Sequence, residues 1–126
     1  MPTTFKELLA EAEAVVPTVS PAEALELMRS AEVLTLDVRE PFETETTGMI
    51  KGAINIPRGL LELTADTDGP HYDPAFEKHR TVLVYCTAGF RSALAGLTLL
   101  NMGFDSVFNI GGFDALADAG LEIERL

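Results

Sequence analysis

The chain has 126 residues, 47% of them hydrophobic and 23% charged, the composition of a globular protein large enough to bury a core without disulfides. Twenty acidic and nine basic residues give a formal net charge of −11, so the surface repels phosphate backbones and nucleic-acid binding is disfavoured. The chain has no apolar run of the roughly 18 residues that a membrane-spanning helix needs, and its first residues lack the pattern of a signal peptide. We therefore expect one cytoplasmic domain over residues 1–126 that binds neither nucleic acid nor membranes.

The first half of the sequence alternates helix and strand signals. Thr4 and Glu7 have the spacing of a capping box, and apolar residues follow them at helical spacing. Ser20 and Glu23 repeat this spacing, with Pro21 at the first helical position. In chain order, this half predicts a helical extension over residues 1–13, a strand over about 14–19, a helix over about 21–30, and strands over 33–38 and 52–56.

The second half contains the clearest strand, Thr81–Tyr85, whose five residues are β-prone and leave no room for helical periodicity. Its other predicted elements are a helical stretch over 58–63, a surface loop over 64–72, a short helix from 73, a helix over 92–102, a strand over 107–110, a tight glycine turn at 111–112 and a helix over 113–119. Because strands alternate with helices throughout, the sequence predicts an α/β fold with a mainly parallel sheet.

The acidic residues are unevenly distributed. Residues 46–61 and 78–104 contain no Asp or Glu, yet they carry five of the nine basic residues: Lys51, Arg58, Lys78, Arg80 and Arg91. If these segments meet in the fold, the acidic protein has one positive patch that would tolerate an anion.

Cys86 is the only cysteine, which excludes an internal disulfide and a cysteine-rich zinc site, and two histidines are too few for a convincing metal centre. A lone thiol is either a buried apolar residue or a nucleophile. Cys86 directly follows a core strand, and a loop containing Gly89 leads from it into a helix. Such a loop lies at the carboxyl edge of the sheet and points backbone N–H groups inward, which with Arg91 would lower the pKa of the thiol. The surroundings therefore favour a reactive cysteine.

Four segments, in the right order, resemble those of the rhodanese-type sulfurtransferases. They are Leu36–Glu40, Gly48–Pro57, Val84–Ser92, and a C-terminal set of Gly103–Phe104, Gly111–Phe113 and Ala119–Leu121. The resemblance implies a five-stranded, mainly parallel sheet with helices on both faces. It also implies a cysteine that accepts sulfane sulfur as a persulfide.

Carried over to this chain, the resemblance makes Cys86 the nucleophile and lets Arg91 hold the donor. Asp37 and Arg39 would form a supporting ion pair, for which bracing of the domain is an equally good interpretation. Arg58 is a candidate second contact for an anion. The loop that would cradle the anionic donor and the persulfide consists of Thr87, Ala88, Gly89, Phe90, Arg91 and Ser92. Thr87 stands where the family often has a basic residue, so one anion contact is missing.

These residues predict a sulfurtransferase that takes sulfur from thiosulfate or a low-molecular-weight persulfide and passes it to cyanide, a thiol or a protein acceptor. We expect a covalent persulfide on Cys86, neither metal nor organic cofactor, and a monomer or weak homodimer. One alternative is a non-catalytic sulfur carrier or interaction module, although such modules commonly lose the cysteine. Another is a phosphatase or arsenate reductase, but phosphatase loops are one residue longer than the four residues between Cys86 and Arg91.

Overall fold

The computed structural model describes residues 2–125 and alternates helices with strands along the chain. The elements are α1 (Phe5–Val15), α2 (Pro21–Ser30), β1 (Val33–Asp37), α3 (Pro41–Thr47), β2 (Met49–Ile50), β3 (Ile54–Asn55), a 3₁₀ turn (Arg58–Leu60), α4 (Leu61–Ala65), β4 (Thr81–Cys86), α5 (Phe90–Asn101), β5 (Val107–Gly112), α6 (Phe113–Asp118) and β6 (Ile123–Glu124). Both predicted capping boxes are present, at Thr4 and Ser20. Among the described residues, none of the helices has the length and apolar character needed to cross a membrane.

The main sheet is parallel, with strand order β3-β1-β4-β5, and β2 pairs with β6 in a separate antiparallel ribbon. The predicted α/β fold is therefore confirmed, but within residues 2–125 the main sheet has four strands where five were expected. The missing strand is the one predicted over 14–19. α1 continues through Val15, and only Thr18 makes an isolated parallel bridge, to Asn109 of β5. Pro17 has no N–H to donate, so a regular ladder cannot form there.

Several predicted boundaries are wrong. Gly111 and Gly112 belong to β5, where they pair with Tyr85 and Cys86, and are not a free turn. α5 begins at Phe90 and not at residue 92, because Gly89 already serves as its N-cap. The helix predicted from residue 73 is only a turn, and α4 takes the first two residues of the predicted 64–72 loop. Three further elements, α3, β2 and β6, were not predicted.

Separate apolar clusters cover the two faces of the sheet. Because side chains alternate along a strand, Val82, Val84 and Cys86 point to one face and Leu83 and Tyr85 to the other. The first face packs against α4 and α5, and the second packs against α2 and α6. This alternation places Cys86 on the α5 side of the sheet, at the carboxyl end of β4, one of the two inner strands.

Candidate active site

The thiol of Cys86 lies at the floor of a cavity above the end of β4, and the residue is only 1% exposed. The cavity walls come from the loop after β4, from the first turns of α5, and from the first residue of α1. They are Phe5, Thr87, Ala88, Phe90, Arg91 and Leu94. A reactant must therefore enter this cavity to reach the sulfur.

Two hydrogen-bonding groups contact the sulfur of Cys86. The Gly89 N–H donates to Sγ at 3.1 Å, and the Ser92 hydroxyl, whose single proton can donate to Sγ or to Asn109, lies 3.4 Å from it. Burial raises the pKa of the thiol, but the Ser92 hydroxyl and the backbone N–H groups of Ser92, Ala88 and Gly89 outweigh it and hold the pKa below its usual value. The pKa of the thiol is thus lowered, as predicted, by the backbone of the loop, whereas Arg91, which was expected to contribute, is not among the main causes. The lowered pKa increases the fraction of the thiolate, which is the nucleophilic form.

Two glycines make this loop conformation possible. Gly89 has φ = +91°, in the left-handed region that side chains rarely adopt, and this turn aims its N–H at the sulfur. Gly112 of β5 lies directly under the loop, where a Cβ atom would be 2.3 Å from the carbonyl oxygen of Thr87. The loop can therefore rest on the sheet only because Gly112 has no side chain.

Asn109 of β5 ties the loop to the sheet. Its Oδ1 accepts from the Ser92 hydroxyl at 2.8 Å and from the Gly111 N–H at 3.0 Å, while its Nδ2 donates to the Gly89 carbonyl at 3.1 Å. Sequence analysis did not select Asn109. The available signal was a polar residue in the middle of an otherwise apolar strand, and its buried amide positions the two residues that contact Cys86.

Arg91 is paired with a carboxylate that the sequence analysis also missed, Glu43 of α3. The guanidinium binds both carboxylate oxygens, at 2.6 and 3.0 Å, and the Thr87 hydroxyl donates to the same carboxylate at 2.9 Å. The hydrogen bonds from Arg91 lower the pKa of Glu43 to about 2, so Glu43 is ionised at neutral pH. The one loop cation beside the thiol is therefore already neutralised.

The predicted ion pair between Asp37 and Arg39 is present, with a shortest distance of 2.8 Å. Both side chains are buried. Arg39 also donates to the Thr47 hydroxyl and the Gly48 carbonyl, and its guanidinium lies 4.5 Å from the ring centroid of Phe113. These contacts join β1 to the end of α3 and to α6, and they do not reach the thiol.

A family model described as a rhodanese-like domain matches residues 20–119, which is 100 of the 126 residues. The chain belongs to the rhodanese-like family. The match begins after α1, so the helix that brings Phe5 to the cavity lies outside it.

Solved structures similar to this rhodanese-like chain include two sulfurtransferases. A homodimeric polysulfide-sulfur transferase from Wolinella succinogenes is 30% identical, with 97% of this chain and 88% of that chain covered and a TM-score of 0.76. The human single-domain sulfurtransferase TSTD1 is 25% identical over 82% and 96% of the two chains, with a TM-score of 0.70. A Rhodopseudomonas palustris protein of unknown function, described as a possible tyrosine phosphatase, is 39% identical over 98% and 99%, with a TM-score of 0.89. Family and neighbours together support sulfur transfer.

The positive patch expected for this rhodanese-like chain does not form. Lys78 and Arg80 precede β4, at the opposite end of the strand from Cys86. Lys51 pairs with Glu122 on the surface. Arg58 donates to Glu62 at 3.0 Å and to Thr98 at 2.8 Å, and it does not line the cavity above the thiol. Its assignment as a second anion contact stays a prediction.

Ser92→Ala should shift the alkylation of Cys86 to higher pH, because the variant loses the hydroxyl that lowers the thiol pKa. A hydrogen bond to a charged group contributes about 1.5 kcal/mol or more, so alkylation by iodoacetamide at neutral pH should slow by about 10-fold. The measurement is the alkylation rate as a function of pH. Ser106→Ala is the matched control, since Ser106 bonds Thr81 at the start of β4 and is remote from the thiol. An unchanged profile in Ser92→Ala would mean that the backbone N–H groups alone set the pKa.

Proposed function

We propose that this protein is a sulfurtransferase whose Cys86 takes sulfane sulfur from thiosulfate or a low-molecular-weight persulfide. The observation that carries the proposal is the thiol at the floor of a cavity, with donors aimed at its sulfur and its pKa lowered. A non-catalytic interaction module has no need of such a thiolate. The sulfurtransferase neighbours support donors and acceptors of sulfur as reaction partners.

In the first half-reaction, the Cys86 thiolate attacks the outer sulfur of thiosulfate. A new S–S bond forms at Cys86, the S–S bond of thiosulfate breaks, and sulfite leaves with the electron pair. The product, Cys86–S–S⁻, carries its charge on the terminal sulfur, where the loop N–H groups can stabilise it as in an oxyanion hole. Loop dipoles supply this stabilisation, so the proposed reaction requires no metal or organic cofactor.

In the second half-reaction, an acceptor attacks the terminal sulfur and restores the Cys86 thiolate. Cyanide gives thiocyanate, while a thiol or a protein cysteine becomes a persulfide itself. Because the first product leaves before the acceptor reacts, the kinetics should be ping-pong. We propose that the protein works in the cytoplasm as a monomer or weak homodimer, the latter as in the Wolinella neighbour.

Intact mass spectrometry tests this proposal directly. Incubation with thiosulfate should add one sulfur atom to the protein, and cyanide or a reductant should remove it. Since Cys86 is the only cysteine, the adduct has a single possible thiol. A protein that gains no sulfur from thiosulfate or from an organic persulfide is not the sulfurtransferase proposed here.

The second candidate function is phosphate ester hydrolysis, because the Rhodopseudomonas neighbour is described as a possible tyrosine phosphatase. We expect no detectable hydrolysis of para-nitrophenyl phosphate. The four residues between Cys86 and Arg91 make a cradle too small for a phosphoryl group in line with the thiolate. A misplacement of about 1 Å can lower a rate by about 100-fold. Both activities are measured side by side on the unmodified protein.

A variant with one glycine inserted after Ala88 tests the effect of loop length on the two activities. The longer loop should weaken sulfur transfer, because the N–H groups then no longer converge on the sulfur. If the unmodified protein hydrolyses the phosphate ester in a Cys86-dependent manner, and faster than it turns over thiosulfate with cyanide, the proposed function is wrong and only the fold assignment stands.

A further inference from the structure

The entrance to the Cys86 cavity has two chemically different sides. On one side, Arg91 is held by the carboxylate of Glu43, and this carboxylate also accepts from Thr87. The pair is only partly exposed, with Arg91 at 38% and Glu43 at 20% of their side-chain surface. Arg91 lines the cavity and Glu43 does not, so an oxyanion that reaches Arg91 from the cavity must either displace Glu43 or bind beside its ionised carboxylate.

Thiosulfate is poorly suited to this side. Its sulfonate end is an oxyanion that would bind a guanidinium through the same fork of donors that Glu43 occupies. Its two negative charges also repel the carboxylate at short range. The Glu43 carboxylate therefore competes with thiosulfate for the guanidinium of Arg91.

The other side of the entrance is apolar. Phe90 and Leu94 of α5 line it, together with Phe5 of α1, and the rings of Phe5 and Phe90 meet edge to face with their centroids 6.0 Å apart. Phe5 is 55% exposed and Phe90 is 50% exposed, so both rings have free surface. The cavity has a volume of about 410 Å³, which leaves room for a small organic group.

We propose that Glu43 is a specificity-determining residue, which disfavours oxyanion donors and leaves the site suited to hydropersulfides of small apolar thiols. This inference rests on the proposed sulfur transfer and names its donor class. In the step, Cys86–S⁻ attacks the terminal sulfur of R–S–SH, the donor S–S bond breaks, and Cys86–S–SH and R–S⁻ are formed. No oxyanion leaves, so Arg91 need not release Glu43, and the group R packs on the wall of Phe5, Phe90 and Leu94.

Glu43→Gln tests the role of the charge. Glutamine keeps one oxygen, which can retain either the bond that Oε1 accepts from the Glu40 N–H at 2.9 Å or the bond that Oε2 accepts from the Thr87 hydroxyl at 2.9 Å. The readout is the rate of sulfur addition to Cys86, followed by intact mass in rapidly quenched samples at subsaturating donor. Thiosulfate should load the variant about 10-fold or more faster than the unmodified protein, since a charge-assisted competitor is removed. Benzyl hydropersulfide should load both proteins within about 2-fold of each other, because it makes no contact that the carboxylate blocks.

Glu45→Gln is the matched control for Glu43→Gln. It removes one negative charge from the same helix, at an exposed residue that does not contact Arg91. Its loading by thiosulfate should stay near that of the unmodified protein. Equal acceleration in both variants would show that net charge, and not the contact with Arg91, sets the preference, and this would overturn the proposal.

Phe5→Ala tests the apolar wall. The variant should lose several-fold in loading by benzyl hydropersulfide and little in loading by thiosulfate. Leu8→Ala is the control, because Leu8 is 44% exposed on the same helix and does not line the cavity. A Phe5→Ala variant that loads benzyl hydropersulfide at the unmodified rate would overturn the assignment of the wall.

Different results would contradict the role of Glu43 and the sulfur transfer on which it rests. If the unmodified protein forms a persulfide but Glu43→Gln leaves its thiosulfate loading unchanged or slower, the specificity role is wrong and sulfur transfer stands. If neither donor adds sulfur to Cys86 in the unmodified protein, the proposed function itself fails.

Discussion

Replacing Cys86 with serine should abolish sulfur transfer while leaving the fold intact. The hydroxyl of serine is not nucleophilic without an adjacent general base, and the surroundings of Cys86 hold hydrogen-bond donors in place of such a base. The buried hydroxyl can still accept from Gly89 and bond Ser92, so no polar group loses its partner. Thiocyanate production from thiosulfate and cyanide should fall to the uncatalysed rate, and intact mass should show no sulfur adduct.

The control for Cys86→Ser is a measurement of its thermal stability. The thermal midpoint of the variant should lie close to that of the unmodified protein, because the substitution changes one atom at a site whose contacts are retained. Thiocyanate production that persists in a folded Cys86→Ser variant would contradict the covalent mechanism. Lost activity with a strongly lowered midpoint would mean that the variant reports on folding and not on chemistry.

The cysteine loop was predictable because everything that defines it lies in consecutive residues. A strand, a thiol, a glycine and a helix follow one another between residues 81 and 101, and the order of these elements dictates where the loop lies relative to the sheet. The period-2 alternation of β4 likewise decides which face the thiol points to. The local sequence and the strand geometry were therefore sufficient to predict the position of Cys86 and of the loop that follows it.

Glu43 and Asn109 were not predictable in the same way, because both act across the sequence. Glu43 is 48 residues from Arg91, and it reaches the loop only after α3 packs at the end of β1. α3 itself is rich in threonine, a weak helix former, so its only sequence signals were Pro41 at a first helical position and Glu43 shortly after it. Asn109 contacts Ser92 and Gly89 only once β5 pairs with β4 and α5 packs on the sheet.

For the helical extension over residues 1–13, the sequence predicted the helix but not the contact that it makes with the site. The helix predicted there is present, but α1 continues to Val15, so the first residues of the strand expected after it are helical. Nothing in the pattern of the helix indicates which of its exposed apolar residues will face the thiol. That Phe5 lines the cavity follows from the packing of α1 on α5, which is a tertiary contact.

Arg39→Met should destabilise the protein by about 3–5 kcal/mol, because it leaves the Asp37 carboxylate without its buried partner. The methionine side chain fills much of the same volume, so loss of charge and not loss of packing dominates the change. The Thr47 hydroxyl and the Gly48 carbonyl also lose a donor each. The measurement is the free energy of unfolding in urea, read from the midpoint at constant slope.

Two further variants distinguish the effect of breaking the buried Asp37–Arg39 pair from the effect of losing any arginine. Arg58→Met breaks the partly exposed pair with Glu62 and should cost no more than about 1 kcal/mol. Asp37→Asn combined with Arg39→Met removes both charges and should be more stable than Arg39→Met alone. Folded Arg39→Met should still load Cys86 with sulfur at low temperature, since the pair contacts β1, α3 and α6 but not the thiol. If the folded variant loses loading while its stability stays near that of Arg58→Met, Arg39 has a part in the chemistry, and bracing of the domain is the wrong interpretation of this pair.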